Sequence, residues 1–321
     1  MQSAHTMVRN ACNGGWRASR HQANSDDRAV IDSHNQLLRA MAAYQEATGG
    51  ADMNIAPSPL PSPRFVPEEF GCYSQNDEDG IFWHIFEEIG FKTKTGVEIC
   101  AGWGYENNLG DFVIHAGMTA VLVDGNPHNI QAATAFFGSS NHPPGTAERA
   151  KLVGDFVTTS NVARLVNQHG ISGEIDALSI DMDGMDYWIL SALVPAVVHP
   201  RVIVVEIQEQ WGPTEPLTRP YSDTFSTNNV AFFGCSIGAY VKWGKANGYR
   251  LVGCMKEGYN AFFLRNDVGV AAFPEYVFPH MTRNNPQSTA HTQHNHTIPH
   301  LAHGPVCIDS DSAMLLRGDD Y

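Results

Sequence analysis

A doubly wound, Rossmann-like α/β domain is the architecture this sequence predicts, and three observations carry it. Five short apolar runs recur between residues 96 and 206, with helical patterns between them. Each run is apolar on both faces, as strands inside a parallel sheet are. Two more strand-like runs, 249–254 and 261–265, have only a short loop between them. They must pair antiparallel, because a parallel pair needs a long crossover. The result is a seven-stranded sheet of five parallel strands and a C-terminal antiparallel hairpin.

Taken from the N-terminus, residues 1–66 form a polar helical extension and linker. Val30, His34, Leu37, Met41 and Tyr44 recur at helical spacing before Gly49 and Gly50, which predicts one amphipathic helix. Its narrow stripe suits packing on its own domain or pairing with a second copy, a homodimer contact. The Pro-rich stretch 56–64 reads as a stiff connector. Ser74 followed by Asp77 reads as a capping box opening a helix through Ile81, Ile85 and Ile89 to Gly90. The strands follow at Gly96–Cys100, Ala120–Asp124, Lys151–Gly154, Asp176–Asp181 and Arg201–Glu206. Helices at 127–137 and 185–193 serve as right-handed crossovers. A helix over 236–246 ends at Asn247-Gly248 and leads into the hairpin, so the folded domain spans 67–270. Residues 271–321 lack periodicity and hold six of the fifteen histidines, which reads as a mobile, His-rich tail. The trio His291, His294 and His296 has no scaffold to fix its rings, so no metal site is expected there.

Charge and composition narrow the partners. The 321 residues carry 20 Lys and Arg against 34 Asp and Glu, a net charge of −14. That excess disfavours nucleic acid and anionic membranes, both of which reward clustered positive charge. No run of about 18 uncharged apolar residues exists, so no membrane span is expected. The N-terminus has no apolar core like that of a signal peptide. Six scattered cysteines without a CxxC pair suit a reduced, cytoplasmic protein.

In an open α/β sheet, ligands sit beyond the carboxyl ends of the strands. After the first strand come Glu98, Gly102 and Gly104, then Asn107 where a dinucleotide fingerprint needs its third glycine. The missing glycine disfavours a nicotinamide dehydrogenase. Glycines let the backbone approach a ligand, and a carboxylate at Glu98 suits a cationic amine better than a pyrophosphate. Asp124-Gly125 ends the second strand, where a carboxylate can accept from both ribose hydroxyls. Asp155-Phe156 follows the third, placed to accept from an adenine amine and to cover its ring. Amine, ribose and adenine in that order match S-adenosylmethionine. Gln75, at the start of the preceding helix, either closes over that cofactor or only caps its helix.

The densest chemistry is the turn Asp181-Met-Asp183-Gly-Met-Asp186 after the fourth strand. Asp181 and Asp183 are expected on opposite sides of the strand end, and Asp186 as the cap of the next helix. Asp181 and Asp183 would position or deprotonate an acceptor hydroxyl, since neighbouring carboxylates raise one another's pKa toward neutrality. With Glu206 they form either a Mg²⁺ or Mn²⁺ site or a metal-free acidic pocket. Trp188, Trp211, Tyr221 and Tyr259 are candidates for an acceptor pocket, and His128 for the surface.

Residues 70 to 270 resemble the class I S-adenosylmethionine-dependent methyltransferases, most of all the FkbM-type group. The resemblance rests on SQNDEDG (74–80), GVEICAGWGYENN (96–108), VLVDGNPHN (121–129), EIDALSIDMDGMDYW (174–188) and GYRLVGCMKEGYNAFFLRND (248–267). It implies that Glu98, Gly102 and Gly104 form the methionine-side loop, that Asp124 holds the ribose, and that Asp155 faces the adenine. It departs at Cys100, where the commoner loop has glycine, and in the Asp-rich turn, where FkbM-type chains read closer to Asp-Val-Glu-Gly. The implied activity is transfer of a methyl group to a small-molecule or sugar hydroxyl. The alternative is a cofactor-binding protein with a different reaction or none.

Overall fold

In a computed structural model of the chain, the described residues are 65, 68–208, 216–225, 234–255 and 258–276, with short strands at 306–308 and 315–316. The helix around Val30–Tyr44, the Pro-rich connector, Trp211 and the histidine-rich cluster lie outside them. Helix α1 (Glu78–Ile89) buries Ile81, Phe82, Ile85 and Phe86 on one face and stops at Gly90, whose φ is 63°. The expected capping box is not what starts it. Asp77 is left-handed and makes no cap. Asp79 does the work instead: its Oδ2 accepts the N–H groups of Cys72, Tyr73 and Ser74 at 2.7–2.9 Å, and Ser74 Oγ accepts the Asp79 N–H. The helix therefore begins four residues after Ser74, because the side chain that can turn back on the incoming loop is Asp79.

Strands β1 (Thr95–Ile99), β2 (Thr119–Asp124), β3 (Ala150–Gly154), β4 (Gly173–Ile180) and β5 (Val198–Glu206) pair parallel in the order β3-β2-β1-β4-β5. Helix α2 (Pro127–Phe137) connects β2 toward β3, reached through the short α3 (Thr146–Arg149). Helix α4 (Val162–Asn167) precedes β4, and α5 (Asp186–Leu193) joins β4 to β5. Strand β6 (Leu217–Thr218) follows, then α6 (Ile237–Asn247), which Ser236 caps through the Ala239 N–H and Gly248 ends in the left-handed region. The hairpin β7 (Tyr249–Cys254) and β8 (Asn260–Arg265) closes the sheet, with β8 antiparallel to β5. Seven strands, five of them parallel, stand in the order β3-β2-β1-β4-β5-β8-β7, a Rossmann-like sheet.

Val97, Ile99, Val121, Val123, Ile203 and Val205 on one face of the sheet, and Ala120, Leu122, Val202 and Val204 on the other, are fully buried. Each such Val, Leu or Ile side chain contributes about 1.5–3 kcal/mol over an exposed one. Beneath the sheet's amino edge, Asp176 of β4 is fully buried and accepts the N–H groups of Lys92, Thr93 and Lys94. Arg201 of β5 pairs with it at 2.7 Å and also donates to the Ile89 carbonyl. This cluster fixes where α1 ends and β1 begins, and so sets the register of the site at β1's far end.

The C-terminal stretch, expected to lack regular structure, contributes β9 (Val306–Ile308) and β10 (Leu315–Leu316) to a small antiparallel sheet with β6. Strands of two or three residues are too short to leave a period in the sequence. Among the described residues, no helix is long and apolar enough to cross a membrane.

Candidate functional site

The strand order reverses at β1, which pairs with β2 on one side and β4 on the other. A cavity of about 300 Å³ opens at the carboxyl ends there, lined by Cys100, Gly125, Asn126, Phe156, Val157, Met182, Met185, Tyr221, Ser222 and Phe225. It is at the lower end of the size range for small-ligand pockets, and its wall is mainly apolar.

The loop between β1 and the π-helical turn Phe112–Ala116 meets this cavity at Cys100. Glu98 is buried, and its two oxygens accept the N–H groups of Asn108 and Leu109 at 2.7 and 2.9 Å. Burial pushes its pKa up to about 8 against the pull of those two bonds. The side chain expected to meet a ligand amine is thus spent on shaping the loop. Gly102 has φ 65° and donates its N–H to Asp124 Oδ2 at 2.9 Å. Gly104 has φ 105°, and a Cβ there would lie 2.5 Å from the Phe136 ring, so this glycine serves packing against α2. Cys100 also takes a left-handed conformation, φ 61°. It holds the backbone shape a glycine would give while placing a thiol in the cavity wall.

Asp124 is 7% exposed and does not itself line the cavity; it holds the loops whose Cys100, Gly125 and Asn126 do. Besides Gly102 it receives the Asn126 N–H at 2.7 Å and long bonds of 3.2 and 3.3 Å from Asn129 Nδ2. Gly125 and Phe156 line the cavity as their positions suggested, Phe156 with more than half its surface exposed. Asp155 does not line it. Its carboxylate pairs with Arg164 at 3.1 Å on the surface, so solvent and an arginine answer its charge. Gln75 is exposed, outside the lining, and its oxygen is 3.5 Å from Asn76 Nδ2. His128 is exposed, and Tyr259 is 46% exposed. Trp188 is tied to the Arg219 carbonyl at 2.8 Å. Of the aromatic candidates among the described residues, Trp188, Tyr221 and Tyr259, only Tyr221 lines the cavity.

Beside the cavity, at the ends of β4 and β5, donor atoms of Asp181, Asp183 and Glu206 lie within 4.8 Å of one another. Asp181 and Asp183 therefore converge instead of facing opposite ways. The cause is Asp183's left-handed backbone, φ 54°, with its N–H bonded to Glu206 at 3.0 Å. Asp186 is fully buried and folds back to accept the N–H groups of Met182 and Gly184, closing the turn rather than capping α5. Sequence reading missed Glu78 and Asn260. Glu78 Oε1 accepts from Asn260 Nδ2 at 2.7 Å, and Asn260 lies opposite Glu206 across the β5–β8 ladder. Neither follows a strand of the parallel set, so no rule about strand ends could find them.

Burial raises the pKa of Asp181 well above the carboxylate range, and the charges of Asp186 and Asp183 raise it further. Burial and then Asp181 do the same to Glu206. Among the described residues, no ion pair reaches these groups. Both carboxyls bind a proton more tightly folded than unfolded. Their contribution to stability is therefore complete below about pH 4 and declines as pH rises toward the raised values. Glu206→Gln, which removes the cost of holding this carboxyl protonated in the fold, is expected to melt above the parent at about pH 8 and to lose that advantage near pH 5. Thermal melts across this range check it; a gap independent of pH would rule out charge as the cause.

No protein-family model matches the chain, and no curated protein matches it. Solved structures with a similar course include a glycopeptide N-methyltransferase, MtfA, in complex with S-adenosyl-L-homocysteine: 10% identity, 64% of this chain, 98% of that one, TM-score 0.37. An O-methyltransferase from Bacillus cereus gives 13% identity over 60% of this chain and 82% of that one, TM-score 0.39. The O-methyltransferase TomG from Streptomyces achromogenes gives 11% over 61% and 82%, TM-score 0.39.

Proposed function

We propose that residues 67–270 form an S-adenosylmethionine-dependent methyltransferase domain, akin to the FkbM-type group, acting on a hydroxyl of a small molecule or sugar. The observation that carries this reading is the pairing of an apolar cavity at the sheet's switch point with three carboxyls converging beside it. The cavity's chemistry fits the cofactor. Phe156, Val157 and Met182 offer an apolar slot for adenine. Asp124 offers a nearly buried carboxylate whose long, shared bonds to Asn129 are those a ribose hydroxyl would replace. When bound, the cofactor supplies a methyl group on a sulfonium, electrophilic without further activation. The chain then has two tasks: to align the acceptor oxygen and to remove its proton. Asp181 suits the second, since a raised pKa is what a general base near neutral pH needs.

A divalent metal is the second reading, favoured by the convergence of Asp181, Asp183 and Glu206, a hard oxygen set of the kind Mg²⁺ and Mn²⁺ take. It would hold the acceptor oxygen and lower its pKa. Loss of activity with EDTA and recovery with Mn²⁺ or Mg²⁺ would select it.

Calorimetry with S-adenosylhomocysteine tests the cofactor assignment. The parent is expected to bind, and Asp124→Ala to bind more weakly by about 1–3 kcal/mol through lost hydrogen bonds. A parent that binds NAD and not S-adenosylhomocysteine would overturn the proposal.

A further inference from the structure

The cavity has one wall that the sheet does not supply. Residues 219–225 cross it from outside, contributing Tyr221, Ser222 and Phe225 to the lining. Three anchors hold them. The Tyr221 hydroxyl accepts the Thr159 N–H at 2.9 Å, bridging to the loop after β3, and donates to Asp223. On the α5 side, the Arg219 carbonyl accepts from Trp188 and the Ser222 N–H donates to Met185 Sδ at 3.4 Å. Over the Asp-rich turn, Phe225 sits so close to Gly184 that a Cβ on Gly184 would overlap the ring, while the Arg219 guanidinium covers Phe225 at 4.8 Å. Gly184 is outside the left-handed region, so its backbone does not need glycine; the ring above it does.

We infer that residues 219–225 are a strap across the cofactor cavity, with Phe225 seated on Gly184 and Tyr221 latched to Thr159, and that release of the strap limits how fast ligand leaves. This rests on the cofactor reading above. The strap is short and anchored at both sides of the switch point, so it spans the ends of β3 and β4 that a bound adenosine would bridge. Phe225 covers the end nearer the carboxyl cluster, and Tyr221 the end nearer Phe156. Their positions make them determinants of which ligand the cavity keeps.

Gly184→Ala tests the seat without removing any group from the site. In the full chain it is expected to weaken S-adenosylhomocysteine at least about tenfold in calorimetry with Phe225 present, and less than about twofold in a Phe225→Ala background, where the methyl has room. Tyr221→Phe keeps the ring and loses the latch, and is expected to speed ligand dissociation several-fold with the melting temperature unchanged. Without any ligand, Gly184→Ala is expected to expose the bond after Tyr221 to chymotrypsin faster than in the parent. Equal costs of Gly184→Ala in both backgrounds, or parental dissociation in Tyr221→Phe, would overturn the strap while leaving the cofactor assignment standing. If the parent binds no S-adenosylhomocysteine, the cofactor assignment fails, and the proteolysis arm alone decides the strap: parental cleavage in Gly184→Ala overturns it.

Discussion

Asp181→Asn is expected to lower methyl transfer by about 10² to 10⁴, the range for loss of a general base, while S-adenosylhomocysteine still binds within about tenfold. The substitution keeps shape and removes basicity. Asp181 is held by the sheet, its N–H reaching the Ile99 carbonyl at 3.4 Å, so the variant side chain stays at the same strand end. Burial, then the charges of Asp186 and Asp183, raise its pKa, so the fraction ionised grows as pH rises through that value. The parental rate with a hydroxylated acceptor is accordingly expected to climb with pH, and the variant's profile to lose that limb. Transfer by the Asn variant at the parental rate would leave this strand end a structural part only. Sensitivity of the parent to EDTA would give Asp181 a metal-holding role in place of base catalysis.

Arg201→Met is expected to destabilise the fold by about 3–5 kcal/mol, the cost of stranding a buried charge. The arginine is 7% exposed and Asp176 fully buried. Without it, the Asp176 carboxylate keeps three backbone N–H donors but loses its counter-charge, and the Ile89 carbonyl loses its donor. The damage extends to the site, because this cluster sets the start of β1 and the loop at its end carries Cys100 and Gly102. Urea unfolding followed by circular dichroism measures the loss; a change below about 1 kcal/mol would mean solvent replaces the arginine at little cost.

Local chemistry accounts for the elements that were readable. The strands of the parallel set had to be apolar on both faces to sit between helix layers, and that requirement writes itself into the sequence as unbroken runs such as Val121-Leu-Val-Asp124. Ser236 and Gly248 mark the ends of α6 for equally local reasons, an oxygen that accepts an orphan N–H and a residue free to turn left-handed. The start of α1 was not readable in this way. Ser74, Asp77 and Asp79 all suit a cap, and which one serves depends on how the incoming loop lies.

The candidate site divides along the same line. Sequence by itself determined that acidic and glycine residues follow successive strands, because chain order and the parallel sheet bring those ends to one edge. It placed Asp124, Asp181, Asp183 and Glu206 at strand ends, but did not determine the left-handed turn that brings Asp183 round to Asp181. Only the tertiary structure decided what each carboxylate is occupied with. Glu98 holds two backbone N–H groups, Asp155 meets an arginine at the surface, and Asp186 closes its own turn. A carboxylate's role is set by which donors reach it and how far water is excluded. Both depend on residues distant in sequence, as Asn260 beside Glu78 and Phe225 above Gly184 show. Periodicity reports the face a residue lies on, whereas the partner it meets there is fixed only when the strands are placed in order and the loops close over them.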